Sequence, residues 1–156
     1  MLELRKVNIL RIEEELGEFA RMYVNENDET FIKTSYVRSF VNLQTRYANG
    51  NFIRGVYYDG NLVGWILAVV NMPEHSSEKY LNQMYYCCTL KGLLAAKALK
   101  LAHEALIAQA EYARIPYVIS QCSFYDEAMT FARLLEKYGW ERRGHTALWR
   151  TSHFKG

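Results

Sequence analysis

The chain has 156 residues, half of them hydrophobic and 23% charged, with 19 basic against 17 acidic side chains and a formal net charge of +2. This is the composition of a folded globular protein, and the length suits a single domain, 1–156, rather than a disordered tail or a pair of domains. No apolar run approaches the ~20 residues that a membrane-spanning helix needs, and so small a net charge gives no argument for a nucleic-acid partner.

From the N-terminus, Met1-Leu2-Glu3-Leu4-Arg5 already alternates like a strand, so residues 2 to 7 are expected to be extended and the signal-peptide pattern is lacking. A cytoplasmic location is the resulting expectation. Three cysteines, Cys87, Cys88 and Cys122, point the same way: an odd number with two adjacent makes a poor disulfide framework and a poor metal site, so no metal is expected. Ile9 to Val24 reads as an amphipathic helix with Ile12, Leu16, Phe19, Ala20 and Tyr23 near one face. A polar loop, Asn25 to Glu29, separates it from a second helix over Phe31 to Ala48, stopped by Asn49-Gly50.

Next come two apolar runs, Phe52 to Tyr58 and Leu62 to Val70, joined by Asp59-Gly60. Asp-Gly at that place predicts a two-residue hairpin, because a type I′ turn needs positive φ at both central positions. The second arm is almost continuously apolar, which predicts a central strand buried on both faces. After a loop containing Pro73, Glu74, His75, Ser76 and Ser77, a strand is expected over Tyr80 to Thr89 and a long helix over about Gly92 to Ala113. Pro116 precedes a strand, Tyr117 to Ser123; Asp126 is read as the cap of a helix to Tyr138, closed by Gly139; and Trp140 to Thr151 is read as one extended segment.

The junction Thr89-Leu90-Lys91-Gly92-Leu93-Leu94-Ala95 carries the chemistry. It runs from strand through a glycine turn into a helix start, where free backbone N–H groups and the positive end of the helix dipole favour an anion. Gly92 admits close approach, and Lys91 adds charge. The three arginines near the C-terminus, Arg142, Arg143 and Arg150, form a second basic candidate for an acidic partner.

At this point the chain resembles the GNAT (GCN5-related) N-acyltransferases over most of its length. The resemblance is carried by the Asp59-Gly60-Asn61-Leu62-Val63-Gly64 hairpin, by the Lys91-Gly92 turn and by Phe131-Ala132-Arg133-Leu134-Leu135-Glu136-Lys137-Tyr138-Gly139-Trp140. It implies a mixed α/β fold, β-α-α-β-β-β-α-β-α-β, with a mostly antiparallel central sheet and helices on both faces. It also implies acetyl-coenzyme A as cofactor, held by Tyr86, Cys87, Lys91, Gly92, Leu93, Leu94, Ala95 and Phe131. The family's phosphate turn reads Gln or Arg, two residues, Gly, one residue, then Gly or Ala; here Gly92 is kept and Leu94 stands at the last place.

The family's closing helix often bears a tyrosine that reprotonates the coenzyme A thiolate, and Leu135 occupies that position here. The substitutes expected are Ser123 and Tyr125, with Tyr138 third. For a base the fourth strand offers Asn82, Gln83 and Tyr85 but no acid, leaving Glu74 and His75 before it. The implied chemistry is direct attack of an amine, on a small molecule or a protein, without a covalent intermediate; Cys87, Cys88 and Cys122 form a nucleophilic alternative. The acceptor would be chosen by the first two helices and the loop from Asn71 to Glu78, with Phe31, Tyr36, Phe40 and Tyr47 as lining candidates. Two other readings stay open: a GNAT-like binding or regulatory protein without catalysis, and a nucleic-acid or acidic-partner binder using the C-terminal arginines. A membrane partner is not expected, and a homodimer is left open.

Overall fold

A computed structural model describes residues 1–6, 52–72, 77–121, 125–143 and 146–154, together with Glu14 and Asn42. The helices expected over Ile9–Val24 and Phe31–Ala48 therefore lie outside the described residues. So do Glu74 and His75 of the loop, Cys122 and Ser123.

Among the described residues the strands are β1 (Leu2–Lys6), β2 (Phe52–Tyr58), β3 (Asn61–Asn71), β4 (Tyr80–Cys88), β5 (Tyr117–Gln121), β6 (Glu141–Arg143) and β7 (Thr146–Arg150). The helices are α1 (Gly92–Tyr112) and α2 (Tyr125–Lys137). They build a mixed α/β fold around one seven-stranded sheet in the order β1-β2-β3-β4-β5-β7-β6. Every neighbouring pair is antiparallel except β4 and β5, which run parallel. A parallel pair needs a long crossover, and α1 lies within it.

Asp59 and Gly60 have φ of 49° and 84°, the two positive angles that the hairpin requires. The N-terminal amine reaches back to the Asp59 carboxylate, tying the start of β1 to this turn. β3 is the central strand its composition demanded: Gly64 through Val69 are all buried. On one face Ile66 and Ala68 join Phe52, Val56 and Leu81 against Ala98, Leu99, Ala102, Leu106 and Ala110 of α1. The alanines in that stripe let the helix axis come close to the sheet. Leu135 and Trp140, in and just after α2, complete the same core, so both described helices lie on this face. Trp65 and Leu67 point to the other face and are only 0% and 1% exposed, so that face is covered as well.

Gly64 shows how tight the sheet is at its centre. A Cβ there would lie 2.9 Å from the Cys87 carbonyl oxygen and 3.1 Å from Val56 Cβ. Replacement by alanine must push strands apart, and Gly64→Ala is expected to cost about 1–3 kcal/mol in urea unfolding, as overpacking does. An unchanged urea midpoint would show that the sheet yields at this point without cost.

Two expectations need correction. α2 begins at Tyr125, so Asp126 lies inside its first turn rather than ahead of it. The C-terminal segment is a hairpin, not a single extended run, with Arg143 paired to Thr146 across a two-residue connection.

α2 closes as its glycine predicts. Tyr138 N–H donates to Leu135 O at 2.9 Å, Gly139 N–H to Glu136 O at 3.0 Å and Trp140 N–H to Leu135 O at 3.1 Å, with Gly139 at φ 95°. The C-terminal arginines are engaged with acids: Arg142 with Glu136 at 3.2 Å, Arg143 with Glu141 at 2.5 Å and Arg150 with Glu141 at 3.1 Å. Three cations facing two carboxylates leave one net charge, a weak electrostatic basis for capturing an acidic partner.

Candidate functional site

Strand β4 departs from simple alternation at one residue. Leu67 of β3 pairs with Tyr85 while the next residue, Ala68, pairs with Gln83, so Met84 is an extra residue opposite no partner. Such a bulge moves everything after it to the opposite face. Leu81 and Gln83 face α1, and beyond Met84 it is Tyr86 and Cys88 that do so; both pack against the α1-side core. Tyr85 and Cys87 take the other face.

The same place marks a parting of strands. β4 and β5 pair from Tyr80↔Tyr117 to Gln83↔Ser120, and among the described residues no partner from β5 follows for Met84–Cys88. A strand edge beyond its last paired neighbour is a template for an extended ligand.

At the apex of this opening lies a buried polar chain. His103 Nδ1 is 2.8 Å from the Leu99 carbonyl, His103 Nε2 is 2.8 Å from Ser120 Oγ, and Ser120 Oγ is 2.7 Å from the Gln83 side-chain amide. All three side chains are at most 2% exposed. Burial lowers the imidazole pKa to about 4, against a smaller opposing effect of the Leu99 carbonyl, so the ring is neutral at pH 7. A carbonyl only accepts, so the ring proton sits on Nδ1 and Nε2 needs a donor. Ser120 has one proton and gives it to Nε2.

The open edge of β4 leads straight into the glycine turn. Thr89 anchors the turn to β3, donating to the Val63 carbonyl from its N–H at 2.8 Å and from its hydroxyl at 3.2 Å. Lys91 is the N-cap of α1 with extended backbone and makes no side-chain cap; the first turn holds no acid. Gly92 has φ 60°, a conformation other residues adopt at a cost, and a Cβ on it would meet nothing within 4 Å. Uncapped N–H groups, space beside a glycine and no competing carboxylate are what a phosphate-bearing group needs. Lys91, Gly92 and Leu93 are exposed, while Leu94 and Ala95 are half-buried.

The remaining candidates divide. Phe131 of α2 is half-buried across the opening, its ring centroid 6.3 Å from Tyr86 and 5.5 Å from His103. Cys87 is buried, and burial first, then the neighbouring Cys88, pushes its thiol well above the usual range, which suppresses the thiolate. Leu135 is 0% exposed and belongs to the core. The Tyr138 hydroxyl donates to the Ala96 carbonyl at 3.4 Å, and the Lys100 ammonium lies 5.5 Å from its ring centroid. Tyr125 opens α2, with its side chain, like the whole of Ser123, outside the described residues. His103 and Ser120 were not singled out in the sequence. Their sign was there: a histidine within the alanine-leucine stripe of α1, and a serine at an inward strand position between Val118 and Cys122.

No protein-family model matches the sequence, and no curated protein matches it. Solved structures do match its fold. A GNAT-family acetyltransferase from Staphylococcus aureus Mu50 is similar at TM-score 0.67 with 16% identity, covering 96% of this chain and 99% of that one. One from Bacillus anthracis is similar at TM-score 0.61 with 19% identity, over 96% and 94% of the two chains. One from Brucella melitensis, solved in complex with acetyl-CoA, is similar at TM-score 0.63 with 11% identity, over 96% and 88%.

Proposed function

Proceeding from the GNAT acetyltransferase fold that this chain has, we propose that it is an acyl-coenzyme A-dependent N-acyltransferase moving an acetyl group from acetyl-CoA to an amine. The single observation carrying this reading is the continuity of two features: the edge of β4 beyond Gln83, lacking a described β5 partner, runs directly into the uncapped start of α1 at Gly92.

The chain's residues fit the cofactor in a definite order. The N–H groups of Leu93, Leu94 and Ala95, with the Lys91 charge beside them, would hold the pyrophosphate. The edge of β4 from Cys88 back to Met84 would pair with the amide-bearing arm, with Tyr86 and Phe131 flanking it. Bound coenzyme A supplies an activated thioester. Cys87 stays a protonated thiol, so the amine attacks directly and no acyl group passes through this residue. Ser123 and Tyr125 remain the candidates to return a proton to the leaving group, because they follow β5 where it borders the opening.

Acetyl-CoA at about 1 mM is expected to raise the melting temperature by roughly 5–10 °C, as saturation near a hundredfold over Kd gives about 2.7 kcal/mol in a chain of this size. No shift at that concentration sinks the reading. A second reading is favoured by Leu135, a fully buried aliphatic side chain at the place where the resemblance sets a proton-donating tyrosine: the chain binds coenzyme A and does not turn over. Cofactor binding without thiol release across a broad amine panel would select it over the first.

A further inference from the structure

Tyr86 carries a hydroxyl that the described residues do not use. The oxygen is buried, and no oxygen or nitrogen atom among the described residues hydrogen-bonds it. Its polar company is the Cys88 thiol, a weak partner. Burial first, then the two neighbouring cysteines, drives its phenol well above the ordinary range, so it is a neutral donor. Native proteins leave few buried hydroxyls in this condition, and packing does not account for this one. The ring lies edge-on to His103 at 5.2 Å and tilted against Phe131 at 6.3 Å, and phenylalanine would keep both contacts.

Its placement is specified by the bulge. With strict alternation Tyr85 would follow Gln83 on the α1 side; the extra residue Met84 puts Tyr86 there. It thus stands on the stretch of β4 that lacks a described β5 partner, two residues from Met84 and two from Cys88. At ~3.3 Å per residue that is about 7 Å from either end, remote from the phosphate turn and from the bulge.

Building on the coenzyme A reading of this opening, we propose that the Tyr86 hydroxyl donates a hydrogen bond to an amide carbonyl of the pantetheine arm of bound acyl-CoA. Among the described residues only the weak Cys88 thiol meets the group, and the ligand would pair it fully. Its removal therefore separates two quantities that a purely structural residue would move together.

The test is Tyr86→Phe, with calorimetric titration of coenzyme A and of acetyl-CoA and with thermal melting of the ligand-free protein. Both Kd values are expected to rise about 3–10-fold, the loss of one hydrogen bond, while the ligand-free melting temperature stays or increases. Tyr85→Phe, on the opposite face, is the control and should leave both Kd values within about twofold. Affinities within twofold of wild type, a loss confined to acetyl-CoA, a lower ligand-free melting temperature, or equal losses from both variants would each overturn the assignment. If the wild type binds neither molecule, the coenzyme A reading falls and takes this assignment with it; if it binds and Tyr86→Phe binds equally well, only the assignment falls.

Discussion

Ser120→Ala is expected to lower stability by about 1–3 kcal/mol, although it removes a single oxygen. Ser120 Oγ links His103 Nε2 to Gln83, and all three side chains are shut away from solvent. The alanine variant leaves the buried His103 Nε2 without its donor, which costs about 1–3 kcal/mol. Gln83→Met orphans only one side of the serine and should cost less. Urea unfolding followed by circular dichroism gives the ranking directly from midpoints at constant slope. Equal losses for Ser120→Ala and Gln83→Met would mean that loss of the donor to His103 Nε2 carries no cost of its own.

The second large effect is the dependence of stability on acidity. The His103 pKa falls from 6.5 to about 4 on folding, chiefly because burial penalises the imidazolium. Between those two values the unfolded chain carries a proton at this residue and the folded chain does not, so protonation favours unfolding as pH falls. The contribution is fully present above pH 6.5, is lost progressively down to about pH 4, and does not change further below it. A shift of this size corresponds to about 3 kcal/mol at 1.36 kcal/mol per unit. Glu111 and Glu141 also have lowered values, held first by the Ser152 hydroxyl and by Arg150 respectively, but both are solvent-exposed and screened. Unfolding free energies of wild type and His103→Gln at pH 7 and pH 4 isolate the histidine. The variant should lose about 3 kcal/mol less over that interval, and parallel losses would show that His103 stays near its ordinary pKa when folded.

What could be read from the sequence follows from where local rules are strict. Asp59-Gly60 announced its hairpin because positive φ at two successive positions selects those residues. Gly139 announced the end of α2 for the same reason, and the unbroken apolar run of β3 announced burial on both faces. Asp126 misled, since an acid suits the first turn of a helix as well as its cap. The site was harder, and the difficulty sits in six residues, Gln83-Met84-Tyr85-Tyr86-Cys87-Cys88. Each residue type beyond the bulge occurs twice in succession, so the strand reads identically in either register. Period-two reasoning could place one tyrosine and one cysteine in the opening without deciding which. Only the ladder, with Leu67 on Tyr85 and Ala68 on Gln83, decides it.

The bulge has a consequence for how the chain tolerates length changes. Insertions and deletions are usually absorbed in loops, and Asn71–Glu78 is the natural place to look for them here. Loss of Met84 alone would be different in kind. Gln83 and Tyr85 already pair with the consecutive residues Ala68 and Leu67, so taking out the residue between them restores simple alternation and leaves every other pair in place. Tyr86 and Cys88 would still face α1, and Tyr85 and Cys87 the other side. One deleted codon in mid-strand would thus remove the bulge without changing which residue lines either face.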